Sequence, residues 1–314
     1  MSSWAAPLVQ AYAACDKLVR SHYENFPVAS RLLPGAMRPH LAALYAIARV
    51  ADDIADEGSA PSGERQARLR AWQAGLHRAV AGDRRAGSES GSTGESRTID
   101  EELILLAIGH SIRSLDLPIV LFDDLVSAFG QDTMTARYAS WCEVLDYCRR
   151  SANPVGRLVL RIAGYRDEAL DRSSDALCTA LQLTNFWQDF GRDWRSGRLY
   201  VPRDIQDACG ASESDLAAGR MPPAWARAIE ASAAFTRGRF DDGRAVCDGV
   251  RGRLRVELRL TWLGGMRILD RAERGRFTLL DRRPTLGIGD APWLLWRALR
   301  WSGRRQHATH VSPA

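Results

Sequence analysis

Gln182-Leu183-Thr184-Asn185-Phe186-Trp187-Gln188-Asp189-Phe190-Gly191-Arg192-Asp193 closes a helical pattern that runs over 168–194. Polar groups at 185, 189 and 193 recur every four residues, and Gln182 precedes Asn185 by three, so a helix carries all four on one narrow stripe. Leu181, Phe186, Trp187 and Phe190 make the surroundings apolar, which does not suit a solvated face. A second acidic stretch, Arg49-Val50-Ala51-Asp52-Asp53-Ile54-Ala55-Asp56-Glu57, places Asp52 137 positions upstream of Asp189. There Asp52 and Asp56 fall one turn apart, while Asp53 is turned away by about 100°. Like charges at that spacing cost an isolated helix about 0.2–0.5 kcal/mol. A divalent cation is the simplest group to offset the repulsion, because magnesium takes one or two carboxylates and completes its shell with water and phosphate oxygens. Either motif alone is a common surface pattern. Together, both in apolar helices and both without a lysine partner, they point to four carboxylates facing across a cavity around a diphosphate. Such a site would neutralise the leaving group, ionise an allylic or cyclopropylcarbinyl carbon, and shelter the cation behind an apolar wall.

Outward from these motifs the pattern stays helical, with apolar spacings of three and four over 39–50, 65–81, 100–115, 119–130, 155–164, 223–248 and 253–272. Pro and Gly fall between the stretches, and no segment sustains the alternation of a strand. The expected fold is all-α. One domain over 1–301 is expected, interrupted at 82–98 by a mobile loop with almost no apolar side chains and followed by a disordered tail over 302–314.

With 46% hydrophobic and 26% charged residues, the 314-residue chain is neither collagen-like nor wholly disordered. No run approaches the roughly 18 apolar residues of a spanning helix, and the opening segment lacks the pattern of a signal peptide. Six scattered cysteines without a CxxC pair are read as reduced thiols of a cytoplasmic protein. The net charge of +5 is built from arginine, since Lys17 is the only lysine. Guanidinium suits phosphate or anionic membrane partners. No dense basic block or zinc-finger spacing supports nucleic-acid binding. His40, His77 and His110 have no metal-ligand spacing. Trp293, Trp296 and Trp301, in an apolar and arginine-rich stretch over 291–301, form either an amphipathic helix for an anionic membrane or a helix docked on the protein's own core.

His22-Tyr-Glu-Asn-Phe26, the stretch from Arg49 to Asp56, Tyr147-Cys-Arg-Arg-Ser-Ala-Asn-Pro-Val-Gly156, and Gln182 through Asp193 into Gly197-Arg-Leu-Tyr-Val-Pro202 occur in an order that resembles the squalene/phytoene synthase family of all-α isoprenoid synthases. The resemblance spans about 12–275 and is strongest to the bacterial hydroxysqualene synthase branch of hopanoid biosynthesis. It implies a helical bundle around a central hydrophobic cavity. It further implies Mg2+ held by Asp52, Asp56, Asp189 and Asp193, and a prenyl diphosphate, presqualene diphosphate, as substrate. Arg49, His22, Asn25, Gln182, Asn185, Arg198 and Tyr200 match the positions that touch diphosphate or metal-bound water. Tyr147 is matched either to a cation-stabilising tyrosine or to core packing. Two departures argue against a two-substrate condensation: Tyr23 and Asn25 replace serines, and Arg149 falls where condensing relatives carry a tyrosine, although Tyr147 is near enough to substitute. The branch would make hydroxysqualene and diphosphate with a carbon–oxygen lyase activity. The alternatives are a head-to-head presqualene diphosphate, squalene or phytoene synthase, a head-to-tail prenyltransferase, and a non-catalytic assembly scaffold of the same fold. Pathway enzymes are implied as further partners.

Overall fold

The computed structural model describes residues 5–21, 33–56, 60–82 and 98–301. The first half comprises α1 (Ala6–Ser21), α2 (Arg38–Asp56), α3 (Ser62–Ala81), α4 (Ile99–Leu115), α5 (Ile119–Asp132), α6 (Trp141–Ser151) and α7 (Asn153–Ile162). Then follow α8 (Glu168–Gln188), α9 (Phe190–Arg195), α10 (Arg203–Cys209), α11 (Glu213–Ala217), α12 (Pro223–Gly243), α13 (Val246–Gly249), α14 (Gly252–Arg274) and α15 (Ala291–Leu299). No strand occurs among the described residues; an isolated bridge joins Arg137 to Leu199. The all-α expectation holds. His22, Asn25 and the loop and tail expected to be mobile (83–97 and 302–314) lie outside the described residues.

The boundaries of the polar insertion have local causes. Gly82 adopts φ 79°, the left-handed geometry that ends α3 with backbone bonds to Arg78 and Ala79 carbonyls. Thr98 starts α4 through a capping box, its hydroxyl accepting from the Glu101 N–H while the Glu101 carboxylate accepts from Thr98. The Thr-x-x-Glu spacing writes that start directly into the sequence.

Two acidic helices are set in the interior by their apolar faces. In α2, Leu41, Leu44, Ile47, Ala51 and Ile54 are buried, and the Trp72 indole of α3 donates to the Ile47 carbonyl at 3.2 Å. α8 packs against α12, α7 and α14. Trp187 is fully buried there, and its N–H donates to the Thr236 hydroxyl at 2.8 Å. Satisfying that donor lets a large ring fill the α8–α12 seam without an unpaired polar group. Leu183, Phe186 and Phe190 fix the rotation of the segment, so Gln182, Asn185, Asp189 and Asp193 point into the cavity.

The helix over 168–194 is not continuous, a correction to its reading as one element. It breaks at Asp189, where φ −95° and ψ 11° leave helical values. The 189 N–H still bonds the 185 carbonyl and the 193 N–H the 189 carbonyl, both at 2.8 Å. The spacing of four therefore survives the break, and the two carboxylates stay on one side.

A candidate diphosphate site at the rim of an aromatic-walled cavity

A cavity of about 760 Å³ opens between α2, α5, α6, α8 and α9. Asp52 and Asp56 line it from one side, Gln182, Asn185, Asp189 and Asp193 from the other, and Arg49, Arg198, Tyr147 and Tyr200 complete the set. All ten of these sequence-predicted positions share one space. Asp53 does not; it lines a separate concavity on the other side of α2, as its helical phase requires.

The first acidic motif stands at the accessible end, while Asp189 of the second is only 12% exposed. Asp52 and Asp56 retain about 40% and 39% exposure, whereas Tyr147, Phe186 and Tyr200 are buried. Phe186 and Tyr200 stack with centroids 3.7 Å apart, and Tyr147 tilts against both at 6.1 and 6.2 Å. Leu125, Phe129 and Val155 extend this apolar wall. Depth therefore separates a charged rim from a greasy interior.

Arginines interleave the carboxylates. Arg49 reaches forward along its own helix to Asp52 at 3.3 Å and Asp53 at 2.5 Å. Arg198 donates to the Asp56 carboxylate, which joins the loop after the second motif to the end of the first. Arg283 donates to Asp189, and the Asn185 amide donates to Asp189 at 3.0 Å. Asp193 makes no arginine ion pair among the described residues and feels both Asp189 and Asp56 as like charges. Burial first, then Asp189, push its pKa up to about 7; burial first, then Asp56, push Asp52 to about 6.

Among the described residues no three His, Cys, Asp or Glu side chains converge tightly enough to hold an ion alone. Magnesium shared with a phosphate ligand takes one or two carboxylates and fills the rest of its shell with water and phosphate oxygens. The donor chemistry fits: hard carboxylate oxygens, two of which, on Asp52 and Asp193, have pKa values raised first by burial and then by a neighbouring carboxylate.

Four participants were not legible beforehand. Asp132, at the end of α5, accepts a 2.8 Å hydrogen bond from the Tyr147 hydroxyl. Its other carboxylate oxygen is buried without a partner among the described residues, and burial raises its pKa to about 7. Arg65 donates to the Ala55 carbonyl at the C-terminal end of α2 and faces the cavity. Arg192 also lines it. Arg283 comes from a segment 94 positions away from its partner Asp189.

One expectation needs correcting. Tyr147, not the residue at 149, faces the cavity, and its hydroxyl proton is held far above the usual range by burial and Asp132. Arg149 lies outside, paired with Asp146 at 2.9 Å. Two positions on a helix are about 200° apart, which turns Arg149 from the wall that Tyr147 meets. The absence of a tyrosine at 149 is therefore no argument against condensation.

A helical fold with two acidic motifs at the mouth of an apolar cavity defines an isoprenoid synthase-type enzyme. The chain belongs to the squalene/phytoene synthase family, whose model matches residues 19–290. It is 39% identical over 217 residues to the hydroxysqualene synthase of Zymomonas mobilis, a match covering 68% of this chain and 66% of that protein. It is 35% identical to the hydroxysqualene synthase of Rhodopseudomonas palustris, over 70% of this chain and 69% of that one. The crystal structure of squalene synthase HpnC from Alicyclobacillus acidocaldarius superposes with a TM-score of 0.76 at 37% identity, covering 88% of this chain and 97% of that one.

Proposed function

We propose that the chain converts presqualene diphosphate and water into hydroxysqualene and diphosphate, a carbon–oxygen lyase reaction. The observation that carries this reading is Arg198 bridging to Asp56 in a rim where both acidic motifs meet above the Tyr147, Phe186 and Tyr200 wall. Asp52, Asp56, Asp189 and Asp193 would hold Mg2+, which when bound supplies Lewis-acid neutralisation of the departing diphosphate. Arg49 and Arg198 bind the phosphate oxygens and take up the charge that develops as the C–O bond breaks and its electron pair leaves with diphosphate. Gln182 and Asn185 orient the leaving group by hydrogen bonding.

The carbocation left behind lies against the wall formed by Phe186, Tyr200 and Tyr147, whose aromatic rings attract positive charge. The cyclopropane opens by rearrangement of its own bonds, and the oxygen of one water forms the new C–O bond. Asp132, positioned by the Tyr147 hydroxyl, is the carboxylate on that wall that accepts the released proton. No reductant enters the balance.

Purified protein given presqualene diphosphate and magnesium should yield a hydroxylated thirty-carbon product by mass spectrometry. No consumption of that substrate, with condensation of farnesyl diphosphate instead, would overturn the reading. Head-to-head condensation is the second reading, favoured by the position of Tyr147 on the wall, and the same assay separates the two.

A further inference from the structure

The segment that supplies Arg283 to the rim continues directly into an apolar surface. Gln188 donates to the Pro284 carbonyl at 2.7 Å, holding this strand of chain against α8. Five residues beyond Arg283, Ile288 is 95% exposed. The following helix, α15, turns Leu294 and Ala298 inward, and Trp301 beyond it packs on Trp262 at 5.3 Å. Its other side is also apolar: Leu295, Trp296 and Leu299 stand at 51%, 48% and 82% exposure. A surface helix normally turns polar residues outward, so an apolar outer face next to an exposed isoleucine marks an interaction site.

The patch is rigidly mounted. Buried Asp290, at the start of α15, accepts from Arg267 at 2.9 Å and Arg271 at 2.6 Å, and from the Gly287 N–H at 2.8 Å. It is also surrounded by positive charge. Arg300 lies over Trp296 at 5.1 Å, and Arg297 over Trp293 at 5.8 Å. From Arg282 to the end of the chain the sequence holds six arginines and one acidic residue, Asp290, which is already paired.

We infer that Ile288 and the outer face of α15 form a docking surface for an anionic lipid bilayer. Tryptophans flanked by arginines match the apolar-to-headgroup boundary, where rings sit at the interface and guanidinium groups meet lipid phosphate. A second copy of the chain fits less well, because a two-fold contact would set arginine against arginine without acidic partners. The inference is independent of which prenyl diphosphate the site turns over.

Co-sedimentation of the full chain with vesicles tests it. The protein should pellet with phosphatidylcholine vesicles containing phosphatidylglycerol, and not with phosphatidylcholine alone. Ile288→Asp and Leu299→Asp should each lower vesicle affinity about tenfold or more, since each loses the burial of a large apolar side chain. Arg297→Glu with Arg300→Glu should abolish the lipid-charge preference. Activity on detergent-dispersed substrate and the circular dichroism spectrum should match wild type in all variants. Equal binding to neutral and anionic vesicles, no vesicle binding, or unaltered binding by both aspartate variants would overturn it. So would light scattering that shows a dimer dispersed by Ile288→Asp.

Discussion

Arg198 donates to the carboxylate of Asp56 across 142 positions of sequence. This contact ties the loop after the second acidic motif to the end of the first, and it occupies the place where a phosphate would compete for the guanidinium. Arg198→Gln should therefore weaken diphosphate binding by about 10- to 150-fold, the worth of one charge-assisted hydrogen bond of about 1.5–3 kcal/mol. Fold stability should change little. Titration with inorganic diphosphate and magnesium, beside a thermal melt, checks both expectations.

The rim carboxylates should tax stability in a pH-dependent manner. Asp193 binds its proton with a pKa of about 7 when folded, against 3.8 as the ordinary value. Between those values the folded state holds more protons than the unfolded, so stability falls as pH rises through the window. Without metal, Asp193→Asn should melt about 2–4 °C above wild type near pH 8, the shift expected of about 1 kcal/mol, and show less advantage near pH 5. Added magnesium should raise the wild-type melting temperature more than that of the variant.

Tyr147 and Asp132 form the pair at the wall. Tyr147→Phe removes the only donor to a buried carboxylate that already has one unpartnered oxygen among the described residues. The loss should be about 1–3 kcal/mol of stability, the cost of an unsatisfied buried group. It should be larger above pH 7 than below it, because the pKa of Asp132 is about 7 and the protonated form needs less support. Melts at both pH values, with turnover measured in parallel, test the pair.

Gly191 makes room for the segment that carries Arg283. A Cβ there would lie 2.1 Å from the Leu280 carbonyl oxygen and 2.6 Å from that of Leu279. Gly191→Ala should push this backbone away, costing about 1–3 kcal/mol as overpacking does. It should also loosen Arg283 from Asp189. Either change frees the Asp189 carboxylate and should tighten magnesium binding, and Arg283→Ala should do so without the loss of stability. Comparing the two variants separates the contact from the packing.

Far from the cavity, the Tyr12 hydroxyl meets His110 at 2.8 Å and Ser111 at 2.8 Å, while the His40 and His110 rings stack. Burial lowers both histidine pKa values from 6.5. The unfolded chain then takes up protons first as pH falls, so stability declines below about pH 6.5. His40→Gln should flatten that decline in thermal melts between neutral and mildly acidic pH.

The legible parts of the fold and site were those with local periodicity. The stripe from Gln182 to Asp193, and the rotation of Asp53 away from Asp52 and Asp56, follow from helical geometry and hold in three dimensions. α6 was harder to see because its buried face, Val144, Tyr147 and Cys148, is masked by the charged residues around it, and the same crowding blurred the register of Tyr147 and Arg149. α10 and α11 are too short to show a period. Asp132 is a single acid at a helix end, and Arg283 meets Asp189 only through tertiary packing at Gly191. No spacing in the chain encodes either one.

The central claim is that both acidic motifs grip one diphosphate. Calorimetric binding of inorganic diphosphate in the presence of magnesium, compared across wild type, Asp52→Asn, Asp193→Asn and the double variant, tests it most directly. Each single change should weaken binding by about tenfold or more, and the double change by clearly less than the product, because the two groups serve the same ligand. Strictly multiplicative losses, or unchanged affinity in either single variant, would contradict it.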